Sequence, residues 1–124
     1  MKNFVFLMLT VVFLASSSSS WADRTITLVN HEFEGTKQWL PGTIAAYVGE
    51  TITINLINNT PSGVHGFHIP DFNQRVDIKK GEKKSISFVA NKVGIFDMKC
   101  HLHPAHVGGQ LIIMEKTSAT TEKK

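Results

Sequence analysis

Apolar and polar residues alternate along most of the chain. From Arg24 to Val29, Ile26 and Leu28 are separated by threonines, and from Thr51 to Ile57 the apolar Ile52, Ile54 and Leu56 stand between Thr51, Thr53 and Asn55. A period of two marks a strand with one buried face. β-Branched residues, which crowd a helix but fit a pleated surface, dominate both stretches. Similar reasoning predicts strands at Thr43–Val48, Phe67–Pro70, Arg75–Ile78, Ser85–Val89, Ile95–Cys100 and Gln110–Glu115. Gly49-Glu50, Asn58 to Gly63, Lys79 to Glu82 and His101 to Gly109 fall between them and are rich in residues that accept turn geometry. The stretch His31 to Gly42, interrupted by Gly35 and Pro41-Gly42, reads as irregular. No run of about ten residues keeps a helical period without a glycine or proline breaking it. Several short strands at close spacing predict an all-β fold, a Greek-key β-sandwich.

The first residues follow another pattern. Met1-Lys2-Asn3 precedes an almost wholly apolar run from Phe4 to Ala15, and Ser20-Trp21-Ala22 offers small residues at the two positions a signal peptidase inspects. Residues 1–22 are therefore expected to be a cleaved signal peptide, with one domain at 23–116 and a disordered tail at 117–124. The apolar run is about a dozen residues long, short of the roughly 20 that a spanning helix needs. No membrane span is expected after cleavage. About 100 residues remain, enough for one hydrophobic core.

Cleavage would remove Lys2 and no acid, so the formal charge of +3 would fall by one. That is too weak a balance to imply nucleic-acid binding. The chain has one cysteine, Cys100, so no disulfide can form within it. Exported to an oxidising compartment, such a thiol needs a role or a shield.

The role is indicated by its neighbours. Met98 to Gly109 places one thiol and three imidazoles, Cys100, His101, His103 and His106, in seven residues where two strands meet. Strand parity puts Phe96, Met98 and Cys100 on the inner face and Asp97 and Lys99 on the outer one. A tight loop stiffened by Pro104 can return His103 and His106 over the sulfur, while His101 points away. One short loop does not surround an ion, and His65 is the candidate from elsewhere, since it shares a face with apolar Phe67 and Ile69 while His68 does not. Thiolate with imidazole suits copper or zinc and disfavours hard, oxygen-seeking cations. His68 and His101 read as exposed residues, Trp39 and Met98 as core, and Lys79, Lys80, Lys83 and Lys84 as a solvated hairpin tip. His31 and Glu32 lie where they could cover the site, although nothing in the sequence compels it.

These segments resemble the cupredoxin family from about Thr25 to Met114. His65-Gly66-Phe67-His68-Ile69-Pro70 is similar to the family's first-histidine segment, Lys80-Gly81-Glu82 with Ile86-Ser87-Phe88 to its central hairpin, and Gly94 to Gly109 to its cysteine-histidine loop. The spacing of Cys100, His103 and His106 is most like the short amicyanin-type loop, whose methionine is replaced here by His106. Gly81 to Phe88 and Cys100-x-Leu102-His103-Pro104 also resemble nitrosocyanin, a red copper cupredoxin in which a glutamate stands at the position of His65.

The resemblance implies one copper per chain, cycling between Cu(I) and Cu(II) on His65, Cys100, His103 and His106. It further implies an electron carrier whose redox partner docks at the histidine loop, with Leu102, Pro104, Ala105 and Val107 as the contact patch; the expected leader makes it periplasmic, and the short region before Thr51 favours a monomer over the trimer that resemblance to nitrosocyanin would allow. Imidazole at 106 is a stronger donor than a thioether, so a red or green centre is expected in place of a simple blue one. Competing expectations are a nitrosocyanin-like redox enzyme binding a small molecule such as nitric oxide at an open position, copper sequestration or delivery, and a structural zinc site.

Overall fold

The computed structural model describes residues 22–61 and 63–117. The expected leader, up to residue 21, and the expected tail, from residue 118, lie outside the described residues. Among the described residues nine strands follow one another: β1 (Asp23–Phe33), β2 (Thr36–Leu40), β3 (Thr43–Tyr47), β4 (Thr51–Asn58), β5 (Val64–Ile69), β6 (Gln74–Lys79), β7 (Lys83–Val89), β8 (Gly94–Met98) and β9 (Gly109–Met114). One 3-10 turn, Pro70–Phe72, separates β5 from β6.

One sheet has the order β2-β1-β4-β7, a second β3-β9-β8, and β5 pairs with β6. β1 runs parallel to β4, and β3 parallel to β9. Their partners across the sequence are therefore reached by crossovers and not by simple hairpins. Leu28, Ile52, Ile54 and Leu56 of the first sheet and Ile44, Ala46, Leu111 and Ile113 of the second are buried in one core with Phe67, Ile69 and Ile78. Each large aliphatic side chain so buried contributes about 1.5–3 kcal/mol. The strict alternation of β4, exposed partly at odd and buried at even positions, is the pattern that this sandwich requires.

The stretch His31 to Gly42 is not irregular. β1 continues to Phe33, turns at Glu34-Gly35 and returns as β2, pairing Phe33 with Thr36 and Val29 with Leu40. Both turn residues have positive φ, 48° and 78°, the combination that a two-residue hairpin turn matching strand twist demands. The hairpin is hard to read in the sequence because β2 is an edge strand whose one buried side chain is Trp39, so no alternation betrays it.

At the end of the sandwich where β1 begins, Glu50 is buried and joins three segments. Its carboxylate accepts from Arg24 Nε (2.8 Å) and Nη2 (3.2 Å) and from the Tyr47 amide (3.0 Å). The Arg24 hydrogen bond is the main reason that the Glu50 carboxyl titrates below its ordinary 4.5; burial opposes it, and the Tyr47 amide adds to it. A depressed folded-state pKa stabilises the fold above the unfolded value and loses that contribution as pH falls through the folded one. Unfolding free energy is accordingly expected to decline below about pH 4.5, and in a Glu50→Gln variant to be lower by about 1–3 kcal/mol at pH 7 with a weaker acid dependence. Denaturant titrations of both proteins at pH 7 and pH 4 check this.

Candidate metal centre

His65 lies in β5, whose inner face also carries the fully buried Phe67 and Ile69, and its own side is 2% exposed. Cys100 follows the last ladder pair of β8, Met98 with Gly109. The strand expected to run to Cys100 thus leaves β9 two residues early, because Lys99 turns to pair with His68 of β5 (His68 N to Lys99 O 2.8 Å, the reverse 3.0 Å). This bridge brings the first-histidine segment and the cysteine segment side by side. Gly66 then donates its amide to Cys100 Sγ at 3.3 Å.

The loop after Cys100 folds back through a turn in which the His106 amide donates to the His103 carbonyl at 3.0 Å. Pro104 is the second residue of that turn, the position that its fixed φ favours. The His103 and His106 rings are stacked, with centroids 4.5 Å apart, and the His65 ring lies 5.2 Å from one and 5.1 Å from the other. His103 Nδ1 is 3.6 Å from Cys100 Sγ, close to the edge of about 3.5 Å expected between nitrogen and sulfur around a tetrahedral ion. One donor atom from each of His65, Cys100, His103 and His106 lies within 4.8 Å of all the others. The four residues expected from the sequence are brought together.

Two are buried, His106 is half-buried and His103 is exposed. Burial, followed by repulsion from His103, His65 and Lys37, lowers the His106 pKa, against an opposing effect of Glu32. The neutral imidazole is the form that can ligate a metal. His106 Nδ1 is buried with no hydrogen-bond partner among the described residues. A buried ring nitrogen without a hydrogen-bond partner, beside a thiol and two further imidazoles, fits a metal ion, which a neutral imidazole can ligate through its unprotonated nitrogen.

Sequence reasoning missed what surrounds these donors. Trp39, read as core and 6% exposed, also donates Nε1 to the Gly66 carbonyl at 3.0 Å. The Val107 amide donates to the Lys37 carbonyl at 3.2 Å, so the unforeseen β1–β2 hairpin holds the loop's outgoing end. His31 at its margin is exposed, and Glu32 pairs with Lys37 at 3.3 Å. His101 points away from the sulfur as expected but is not a plain exposed residue. Its side chain is 6% exposed, and Nε2 lies 2.6 Å from Asp77 Oδ1. The ring covers Gly66 so closely that a Cβ there would fall 2.5 Å from His101 Cε1 and Nδ1. Nothing local in the sequence signals these contacts, which join residues 24 to 34 positions apart.

The model of the cupredoxin-like domain matches residues 4–113. The chain belongs to that family. Solved structures with the same fold include a copper-containing nitrite reductase from Thermus scotoductus SA-01, with TM-score 0.65 and 22% identity over 78% of this chain and 29% of the reductase. Auracyanin from Roseiflexus castenholzii superposes with TM-score 0.60 and 17% identity, over 73% of this chain and 96% of auracyanin. A blue copper oxidase from Nitrosomonas europaea gives TM-score 0.62 and 18% identity, over 80% of this chain and 41% of the oxidase. The chain thus spans less than half the length of the reductase and of the oxidase, and likeness at these identities concerns the fold. No curated protein sequence matches it. For this cupredoxin, the fold and the His-Cys-His-His group together support copper as the cofactor. Among the described residues, no helix is long and apolar enough to cross a membrane.

Proposed function

We propose that this cupredoxin is a periplasmic electron carrier, exported by residues 1–22 and working as a monomer, with one copper held by His65, Cys100, His103 and His106. The observation that carries this reading is the convergence of four soft or borderline donors, three imidazoles and one thiol, with His103 alone of the four exposed. Copper in such a site supplies a one-electron couple. The chain's own part is to keep the donors in place, so that little rearrangement accompanies gain or loss of the electron. The Gly66 amide on the sulfur and the Pro104 turn between His103 and His106 serve that end. The exposed His103 edge offers the shortest way out for the electron, and the exposed Leu102, Pro104, Ala105 and Val107 around it form a small patch suited to transient docking.

The test is visible absorption and electron paramagnetic resonance of Cu(II)-loaded protein. Intense thiolate absorption, shifted from simple blue towards green or red by the His106 imidazole, is the expected result. Retention of zinc with no such band would overturn the redox reading. A spectrum transformed by nitric oxide would favour small-molecule chemistry, and rapid loss of copper to a competing chelator would favour delivery.

Replacing His106 by a weaker thioether donor gives a further prediction. Nitrogen donation favours Cu(II) over Cu(I). A His106→Met variant is expected to show a higher reduction potential than the parent and a bluer spectrum. Spectroelectrochemistry of the two proteins checks the sign, and an unchanged or lower potential in the variant would contradict His106 as a ligand.

A further inference from the structure

Three basic residues form one cross-strand row beside the metal centre. Arg75 of β6 lies directly opposite His68 of β5, and His68 lies directly opposite Lys99. Directly opposite side chains in antiparallel strands stand about 5 Å apart on the same face, where like charges repel. Among the described residues, neither Arg75 nor Lys99 forms an ion pair with a carboxylate. Asp77, two positions along β6 from Arg75, is already hydrogen-bonded to His101. Asp97, two positions before Lys99, lines a separate neighbouring hollow with it. A hollow of about 360 Å³ lies over the row, lined by His68, Arg75, Lys99 and His101 and reaching Cys100 and His106.

From this row and this hollow we infer that the protein binds a small oxyanion between Arg75 and Lys99, next to the metal centre. The guanidinium offers a planar fork of N–H donors that matches two oxygens of such an ion, and the Lys99 ammonium supplies a point charge from the other side. His68, expected to be exposed, is half-buried between them, and desolvation, then His101, Arg75 and Lys99, keeps its pKa down. It therefore contributes a neutral ring N–H, a donor that does not add a third full charge. The groups that would hold the oxyanion, Arg75, Lys99 and His68, are not among the four donors, although the hollow it enters also reaches Cys100 and His106. Where copper is bound, a neighbouring anion would favour the more positive Cu(II) state.

The test is phosphate addition to metal-free and to Cu(I)-loaded protein, followed by amide and side-chain NMR. Saturable shifts at His68, Arg75 and Lys99 are expected in both forms, and binding at least about tenfold weaker in an Arg75→Gln, Lys99→Gln double variant. Both side chains are exposed, so the variant should keep the dispersed spectrum of the folded chain. A Lys80→Gln, Lys83→Gln variant at the hairpin tip should bind phosphate as the parent does. Absence of saturable shifts, equal binding by the Arg75/Lys99 variant, or shifts centred on Lys79 to Lys84 would each overturn the inference. In Cu-loaded protein, phosphate should lower the reduction potential of the parent and leave that of the Arg75/Lys99 variant unmoved.

Discussion

Cys100→Ser is expected to abolish the intense visible absorption of the copper-loaded protein and to weaken Cu(I) binding more than the roughly 10–100-fold that loss of an outer contact causes. Sulfur is the one soft donor among the four, and thiolate is what favours Cu(I). A serine hydroxyl is hard and stays protonated near neutral pH, so three imidazoles would remain for an ion that prefers nitrogen less than sulfur in its reduced state. The Gly66 amide, which donates to Sγ at 3.3 Å, would keep an oxygen acceptor, so the change should leave the fold intact. Absorption, electron paramagnetic resonance and a competition assay with a Cu(I) chelator check the three parts of this expectation. Survival of the visible band in the variant would show that the thiol is not a ligand.

Gly66→Ala is expected to destabilise the fold by about 3 kcal/mol, the upper end of ordinary overpacking, and to disturb the copper spectrum at the same time. The added methyl would meet the His101 ring at 2.5 Å. That ring is not a loose end free to swing aside, since it is 6% exposed and tied to Asp77 at 2.6 Å. Nor can Gly66 easily retreat: its carbonyl accepts from Trp39 and its amide donates to Cys100. Relief must come through the ring or through the Cys100 segment, and either moves the sulfur. A double-mutant cycle separates the causes. In a His101→Ala background the alanine at 66 should cost less than about 1 kcal/mol, because the overlapping atoms are gone. Equal costs in both backgrounds would mean that the ring is not what excludes a side chain at 66. Thermal or denaturant unfolding gives the energies, and the position of the visible band reports the sulfur.

His101 illustrates how far parity reasoning reaches. Its place next to Cys100 in sequence separates it from the group that His65, Cys100, His103 and His106 form, although both residues lie past the end of β8. Opposite to an inward face usually means solvent, and here it does not, because the β5–β6 pair lies on that side and supplies both Gly66 and Asp77 as neighbours. The β1–β2 hairpin illustrates the converse. Gly35 is visible in the sequence as a breaker, but Glu34 is not a residue type that marks a positive φ, and an edge ribbon with one buried side chain leaves no periodic trace. Yet the same hairpin supplies Trp39 to Gly66 and the Lys37 carbonyl to Val107.

The sequence by itself determined the all-β class and the positions of most strands, and it singled out His65, Cys100, His103 and His106, the four side chains that the fold gathers. These rest on short-range regularities: a period of two along each strand, and a cysteine and two histidines spaced so that one proline-stiffened turn can gather them. Only the tertiary structure decided how the donors are held and what lies beside them. Gly66 meets Cys100, Trp39 meets Gly66 and Asp77 meets His101 across separations of 34, 27 and 24 residues. Arg75, His68 and Lys99 become a row solely through the registers of β5 with β6 and with the end of β8. Register is a relation between strands, set by how whole inner faces pack into one core, and no single segment carries it.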